Sequence, residues 1–327
     1  MLALDIGSNT LRAVEMGDGF EKKREFEFII AAAQGLNESG VIGEGAIARL
    51  RDALRKLSGD YDLSKARAVA TAAFRKAGNT RELFEALRGE FGIKILCIDA
   101  LLEAKLSVLG MKLGLRKCGL SGEFGFCDLG GASCEFGFKN EAKSFDFGII
   151  SFYERVRGEI LSPSGSFFVS EFKFAPKFKS RDKRLKIQQF SDKGFKILAF
   201  RAFETVAPLQ KILKKHGVRR VVLNSGVPTA LCAFKQGLSY ADYHSGAVDG
   251  RRLHAGEFLH FAHRLWRMGE AEAALWVGSM RRTYFVAGCL LLFALFDREE
   301  LVVIDEGLRE GVAAMSEVEW LRCWGQK

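Results

Sequence analysis

The sequence has no apolar run long enough to cross a bilayer. The longest, Tyr284 to Phe296, falls short of the roughly 18 residues a membrane helix needs and reads as a buried core helix. No basic segment precedes the first apolar run and Asp5 sits inside it, so no secretory leader is legible and a cytoplasmic location is expected. The seven cysteines form no Cys-x-x-Cys pair, and no zinc site can be read from them. Cys97, Cys127, Cys232 and Cys289 lie in apolar runs, which predicts buried thiols in a reducing compartment. Low-complexity segments are absent too. With 48% hydrophobic and 27% charged residues, the composition excludes a disordered or fibrous chain.

What is present begins with length: 327 residues exceed one ordinary core. At roughly 100–200 residues per domain, two domains with a cleft between them are expected. Forty-nine Lys and Arg against forty Asp and Glu give a net charge of +9. That surplus attracts anions, so nucleotides, polyphosphate, nucleic acid and acidic membranes are the partner classes to weigh, although net charge locates no site.

Apolar periodicity predicts strands at Leu2–Ile6, Leu11–Glu15 and Phe26–Ala32, then a helix over Ala46–Leu57. A strand (Ala66–Ala72), a helix behind Asn79 and Thr80 (Glu82–Gly89), a strand (Ile93–Ile98) and a helix (Leu101–Leu113) follow. The same order restarts at Phe124–Cys127, Ala132–Phe138 and Ser144–Phe147. Between the halves, Leu113–Glu123 reads as a hinge. Lys173–Lys186, with seven basic residues and one acid, reads as an exposed loop. Downstream come a helix (Ile197–Lys215), a strand (Arg219–Leu223), a helix from Pro228, helices within Leu253–Phe296, a strand (Leu301–Ile304) and a last helix (Leu308–Leu321).

The clearest sign of the repeat is a pair of turns, Asp5-Ile6-Gly7-Ser8-Asn9 and Asp128-Leu129-Gly130-Gly131-Ala132-Ser133, each closing an apolar strand and preceding another. An acid at a strand end can hold a metal ion or its water, and glycine lets the backbone turn its amides toward phosphate oxygens. Alone, each turn is an ordinary hairpin signal. Duplicated, they suggest two phosphate loops facing across a cleft, with Gly7, Ser8, Asn9, Thr10, Arg12, Gly130, Gly131, Ala132 and Ser133 as phosphate-binding candidates. Ser225 and Gly226, between a strand and a helix, join them.

Five segments resemble the exopolyphosphatase/guanosine pentaphosphate phosphatase family. They are Asp5–Arg12, Ala70–Asn79, Glu103-Ala104-Lys105-Leu106, Asp128–Glu135 and Gly307-Leu308-Arg309-Glu310-Gly311, and they span nearly the whole chain in the family's order. The resemblance implies an α/β fold of two actin-like, ribonuclease H-like domains. These would comprise 1–115, completed by 308–327, and 116–307. It implies hydrolysis of a terminal phosphoanhydride of polyphosphate or guanosine pentaphosphate, with Glu103 as general base and Mg²⁺ held by Asp128, Glu135 and Asp5. Arg75 and Arg281 stand at its phosphate-clamping arginine positions. No nucleic acid or membrane partner is implied, and a homodimer is.

The chain departs from the family pattern at Ala132, where a third Gly is usual, at Thr283, and at Leu101-Leu102, where further acids precede the base. The resemblance is to the short form, so the C-terminal phosphohydrolase-like region of longer relatives is not expected. Two other readings remain: a non-catalytic module binding guanosine tetra- or pentaphosphate or polyphosphate, and an actin-like ATPase or sugar kinase. The Gly307–Gly311 segment speaks against the kinase.

Overall fold

The computed structural model describes residues 1–139, 141–161 and 181–325. The chain opens with an antiparallel meander of β1 (Leu2–Ile6), β2 (Thr10–Met16) and β3 (Lys22–Ile29). Next come α1 (Leu36–Ser39) and α2 (Glu44–Ser58); α2 buries Ala46, Ile47, Leu50, Ala53, Leu54 and Leu57, the one-sided spacing of an amphipathic helix. β4 (Arg67–Ala70) returns parallel to β1, and α3 (Ala72–Lys76) and α4 (Thr80–Phe91) lead to β5 (Ile95–Cys97), parallel to β4. The first sheet is ordered β3-β2-β1-β4-β5, and α5 (Ala100–Lys117) leaves it.

The second half repeats the plan. β6 (Gly125–Leu129), β7 (Cys134–Phe138) and β8 (Glu141–Phe145) form another antiparallel meander. After α6 (Ile149–Leu161), α7 (Arg181–Gln188) and α8 (Lys193–His216), β9 (Arg220–Asn224) returns parallel to β6. Then follow α9 (Gly226–Lys235), β10 (Arg252–Leu253), α10 (Ala255–Arg267), α11 (Glu270–Val277), α12 (Arg282–Leu295) and β11 (Glu300–Val303), and the chain ends in α13 (Leu308–Ala314) and α14 (Glu317–Gly325). The second sheet, β10-β11-β9-β6-β7-β8, is the first sheet's order with one edge strand added. Two such sheets with their helices make the α/β, two-domain actin-like fold.

α5 joins the halves. Leu106, near its start, packs with Ala3, Val14, Val69 and Leu96 of the first sheet and with Leu308, Val312 and Trp320. Met111 and Leu115, further along, pack with Phe124, Phe126, Val222 and Val302 of the second. α13 lies against α5 with no room for side chains between them: a Cβ on Gly110 would fall 1.9 Å from the Gly307 carbonyl oxygen, and one on Gly311 2.0 Å from that of Leu106.

Several expected boundaries move. β4 ends at Ala70, because residues 72–76 form α3 instead of prolonging the strand. The expected hinge Leu113–Glu123 is helical through Lys117; its Gly114 serves close packing, since a Cβ there would sit 2.3 Å from Ile304 Cγ2. The last helix divides at Met315–Ser316, where Arg67 Nη1 donates to the Met315 carbonyl (2.5 Å) and Ser316 Oγ accepts from the Glu319 amide to start α14. In the basic segment, residues 173–180 lie outside the described residues, but the remainder is not loop: it enters α7, and Lys183 is buried, donating to the carbonyls of Phe293 and Phe296. Among the described residues no helix is long and apolar enough to cross a membrane.

Candidate active site

The two turns are built alike. In the first, Asp5 pairs with Arg12 across β1–β2 and the Gly7 amide donates to the Thr10 carbonyl (2.9 Å). In the second, Asp128 pairs with Glu135 across β6–β7 and the Gly130 amide donates to the Ser133 carbonyl (3.0 Å). Each turn is pinned from outside. The Ser8 and Asn9 carbonyls accept from Ala33, Ile30 and Ala31, while the Gly130 and Gly131 carbonyls accept from Ile149, Ile150 and Ser151 at the start of α6. The turns also meet: a Cβ on Gly131 would lie 2.9 Å from Ser8 Cβ. Glycine is therefore needed at 131 for the two loops to face each other at contact distance.

The strand–helix turn after β9 forms another wall. Ser225 takes φ 146°, a region that non-glycine residues rarely adopt, and its buried Oγ has no hydrogen-bond partner. A strained, unsatisfied hydroxyl facing a cleft is the kind of feature retained for a ligand. The segment Asp305–Glu310 closes the opposite side. There Arg309 donates to Asp305 (2.8 Å) and Glu310 (2.7 Å), Glu310 accepts the Gly307 amide (2.8 Å), and Asn224 holds the Ile304 and Glu306 carbonyls.

Six carboxyls line this cleft; Asp305 and Glu310 are paired with Arg309, and the other four are Asp5, Glu103, Asp128 and Glu135. Burial pushes Asp5 up to about 8, with the nearby Glu103 charge adding to the rise. Burial raises Glu103 to about 7 although Arg75 opposes it, and it raises Asp128 to about 6. Glu135 is pushed up by burial and then by Glu103 and Asp128, while its Oε1 accepts from Ser144 Oγ (2.8 Å). Asp5 Oδ1 is buried without a partner. Such a concentration of buried, mutually repelling acids suits a hard divalent cation. Among the described residues no three His, Cys, Asp or Glu side chains are grouped so as to hold a metal ion on their own, so an ion at this site would have to complete its shell with water and phosphate.

The three arginines are placed differently. Arg12 and Arg281 line the cleft; Arg75 lies behind Glu103, with Nη1 2.5 Å from Glu103 Oε2 and 3.0 Å from the Ile98 carbonyl. Arg75 therefore holds the carboxyl where a phosphate clamp was expected. Glu103 itself is in the first turn of α5, whose N-cap Asp99 accepts the Leu102 amide.

Every other candidate reaches the same cleft: Gly7, Ser8, Asn9, Thr10, Gly130, Gly131, Ala132, Ser133, Ser225 and Gly226. The sequence reading missed Thr71 and Asp305 on its walls and assigned Arg309 and Glu310 no role in it. Thr71 lay within the Ala70–Asn79 segment and Arg309 and Glu310 within Gly307–Gly311, so those segments carried the signal. Asp305 had none beyond its place at a strand end.

Comparison with known proteins agrees with this fold. An exopolyphosphatase-like protein superposes with a TM-score of 0.73 at 19% identity, over 95% of this chain and 97% of its own. The Ppx/GppA family member of Aquifex aeolicus gives 0.66 at 24% identity, over 100% and 98%. An exopolyphosphatase from Cytophaga hutchinsonii gives 0.69 at 19%, over 98% and 97%. These likenesses show the fold. The profile of the Ppx/GppA phosphatase family matches residues 20–319, and the chain belongs to that family.

Proposed function

We propose that the chain is a phosphohydrolase that releases the terminal phosphate of inorganic polyphosphate, of guanosine pentaphosphate, or of both, by attack of water. The observation that carries the reading is Glu103: a buried carboxyl between two facing phosphate loops, backed by Arg75 and raised to about 7. A base poised near the working pH is matched to taking a proton from water as it attacks.

In this reading the Gly7–Thr10 and Gly130–Ser133 turns and Ser225 hold phosphate oxygens, and Arg12 and Arg281 clamp the terminal group. Arg75 orients Glu103. Asp5, Asp128 and Glu135 would hold Mg²⁺, which when bound neutralises charge on the phosphate oxygens. Phosphorus chemistry of this type needs positioning and charge more than covalent participation, which is what these groups supply.

The test is phosphate release from polyphosphate and from guanosine pentaphosphate in parallel, with Mg²⁺ present, by the wild type and by Glu103→Gln. The variant should lose turnover by about 10² or more while substrate binding is kept. Unchanged turnover removes Glu103 as base. No release by the wild type, with binding intact, turns the protein into a phosphate-sensing module.

A further inference from the structure

One carboxylate beside the cleft has no part in this scheme. Glu27 stands opposite Arg12 in the β2–β3 register, and its Oε2 accepts from Arg12 Nε (2.9 Å). Its Oε1 accepts from Arg281 Nη1 (2.8 Å) and from the Tyr240 hydroxyl (3.1 Å). Arg12 belongs to the first sheet, whereas Arg281 and Tyr240 belong to the second half. The two guanidiniums converge on Gly226, where a Cβ would lie 2.8 Å from Arg281 Nη2 and 3.8 Å from Arg12 Nη2.

Two cations brought together with little water repel each other, and a carboxylate between them turns that repulsion into attraction. Burial works to raise the Glu27 carboxyl, but Arg12 and then Arg281 hold it down at about 2, so the bridge is charged at neutral pH. Glu27 is not on the cleft wall; it lines the recess behind the guanidiniums with Tyr240 and Tyr243. A phosphate entering the cleft does not need its place, and Arg281 Nε is buried without a partner.

We propose that Glu27 is a positioning residue that bridges Arg12 and Arg281 across the two halves and presents them to phosphate as one paired clamp. The inference rests on the reading of the cleft as a phosphate site. Without the bridge, closure of the arginine pair falls to the ligand, whose apparent affinity drops by the fraction of molecules already closed. At saturation the phosphate itself holds the two guanidiniums together, so turnover is spared.

Binding of inorganic tripolyphosphate to the full chain by calorimetry, with KM and kcat for polyphosphate, tests this on Glu27→Gln. The dissociation constant and KM should rise roughly tenfold while kcat stays within a factor of about three. Glu27→Asp keeps the charge on a shorter stem, so it should recover part of the binding and carries the test if Glu27→Gln does not fold. In an Arg281→Ala background, Glu27→Gln should add little, because the bridge is already broken. Unchanged or tighter tripolyphosphate binding by a folded variant overturns the clamp, as does a lowered melting temperature with the affinity intact. Release of phosphate with a KM indifferent to Glu27 defeats the clamp and leaves the hydrolase standing. Glu27-dependent tripolyphosphate binding without release does the reverse, and a wild type that binds no tripolyphosphate overturns the clamp.

Discussion

Glu103 sits among Asp5, Asp128 and Glu135, with Arg75 offsetting its own charge and Arg12 that of Asp5 and Asp128, and two pH effects follow. A general base acts deprotonated, so the rate is expected to rise with pH across the Glu103 titration, which bound Mg²⁺ would bring below the metal-free value of about 7. Glu103→Gln should abolish that rise along with the rate. The second effect concerns stability. Folded values of about 8 for Asp5, 7 for Glu103 and 6 for Asp128 all lie above the unfolded ones, so the folded protein binds these protons more tightly. Their stabilising contribution is present at acid pH, below about 4, and is lost as pH rises through 6 to 8. Metal-free protein should therefore lose roughly a few kcal/mol on this account between about pH 4 and 8. Mg²⁺ should restore part of it at the upper end, read as melting temperature. A melting temperature indifferent to Mg²⁺ at about pH 8 would remove Asp5 and Asp128 from the metal site.

Contacts between elements depend on glycines that admit no side chain. In α5, replacing Gly110 with Ala would gain about 1 kcal/mol of helix propensity. The new Cβ, however, would lie 1.9 Å from the Gly307 carbonyl oxygen, a backbone atom that cannot turn aside. The clash wins, and Gly110→Ala is expected to destabilise by about 3 kcal/mol or more in denaturant titration. Gly131→Ala is a milder case: its Cβ meets Ser8 Cβ at 2.9 Å and Ile150 Cδ1 at 3.4 Å, so the facing turns must separate by a fraction of an ångström. Turnover should fall by roughly tenfold or more with little change in melting, because misplacement at the reacting centre costs rate before it costs fold. Wild-type turnover in Gly131→Ala would mean that the spacing of the two turns is not what the chemistry uses.

At the scale of the molecule, α5 contributes Leu106 to one core cluster and Met111 and Leu115 to another, and α13 returns the chain end to the first sheet. Neither sheet keeps its full apolar cover without an element that the other also uses. Calorimetric unfolding is therefore expected as one cooperative transition, and two separated transitions would show that the shared helices do not couple the halves.

Much of this was readable along the chain because burial of a helix or strand is periodic over a few residues. The spacing of Ala46, Leu50 and Leu57 announced α2, and the run Leu2–Ile6 announced β1. The repeated turns after Asp5 and Asp128 announced two equivalent hairpins, which do share one register and one closing hydrogen bond. Boundaries set by distant partners were not legible. At the break between α13 and α14 the Met315 carbonyl is held by Arg67, 248 positions away, and Gly114, which reads as a hinge residue, is instead a close-packing glycine because a Cβ there would meet Ile304. The turn toward Glu103 that withdraws Arg75 from the cleft wall arises only when α3 packs against the start of α5 within the first half, and the joining of Arg12 to Arg281 by Glu27 only when the two halves pack. The sequence by itself determined most of the strands and helices and the two repeated turns, because those follow from local spacing and backbone freedom. Tertiary structure alone decided which charges meet, since Glu27 and Arg281 lie 254 positions apart and nothing in local chemistry names that partner.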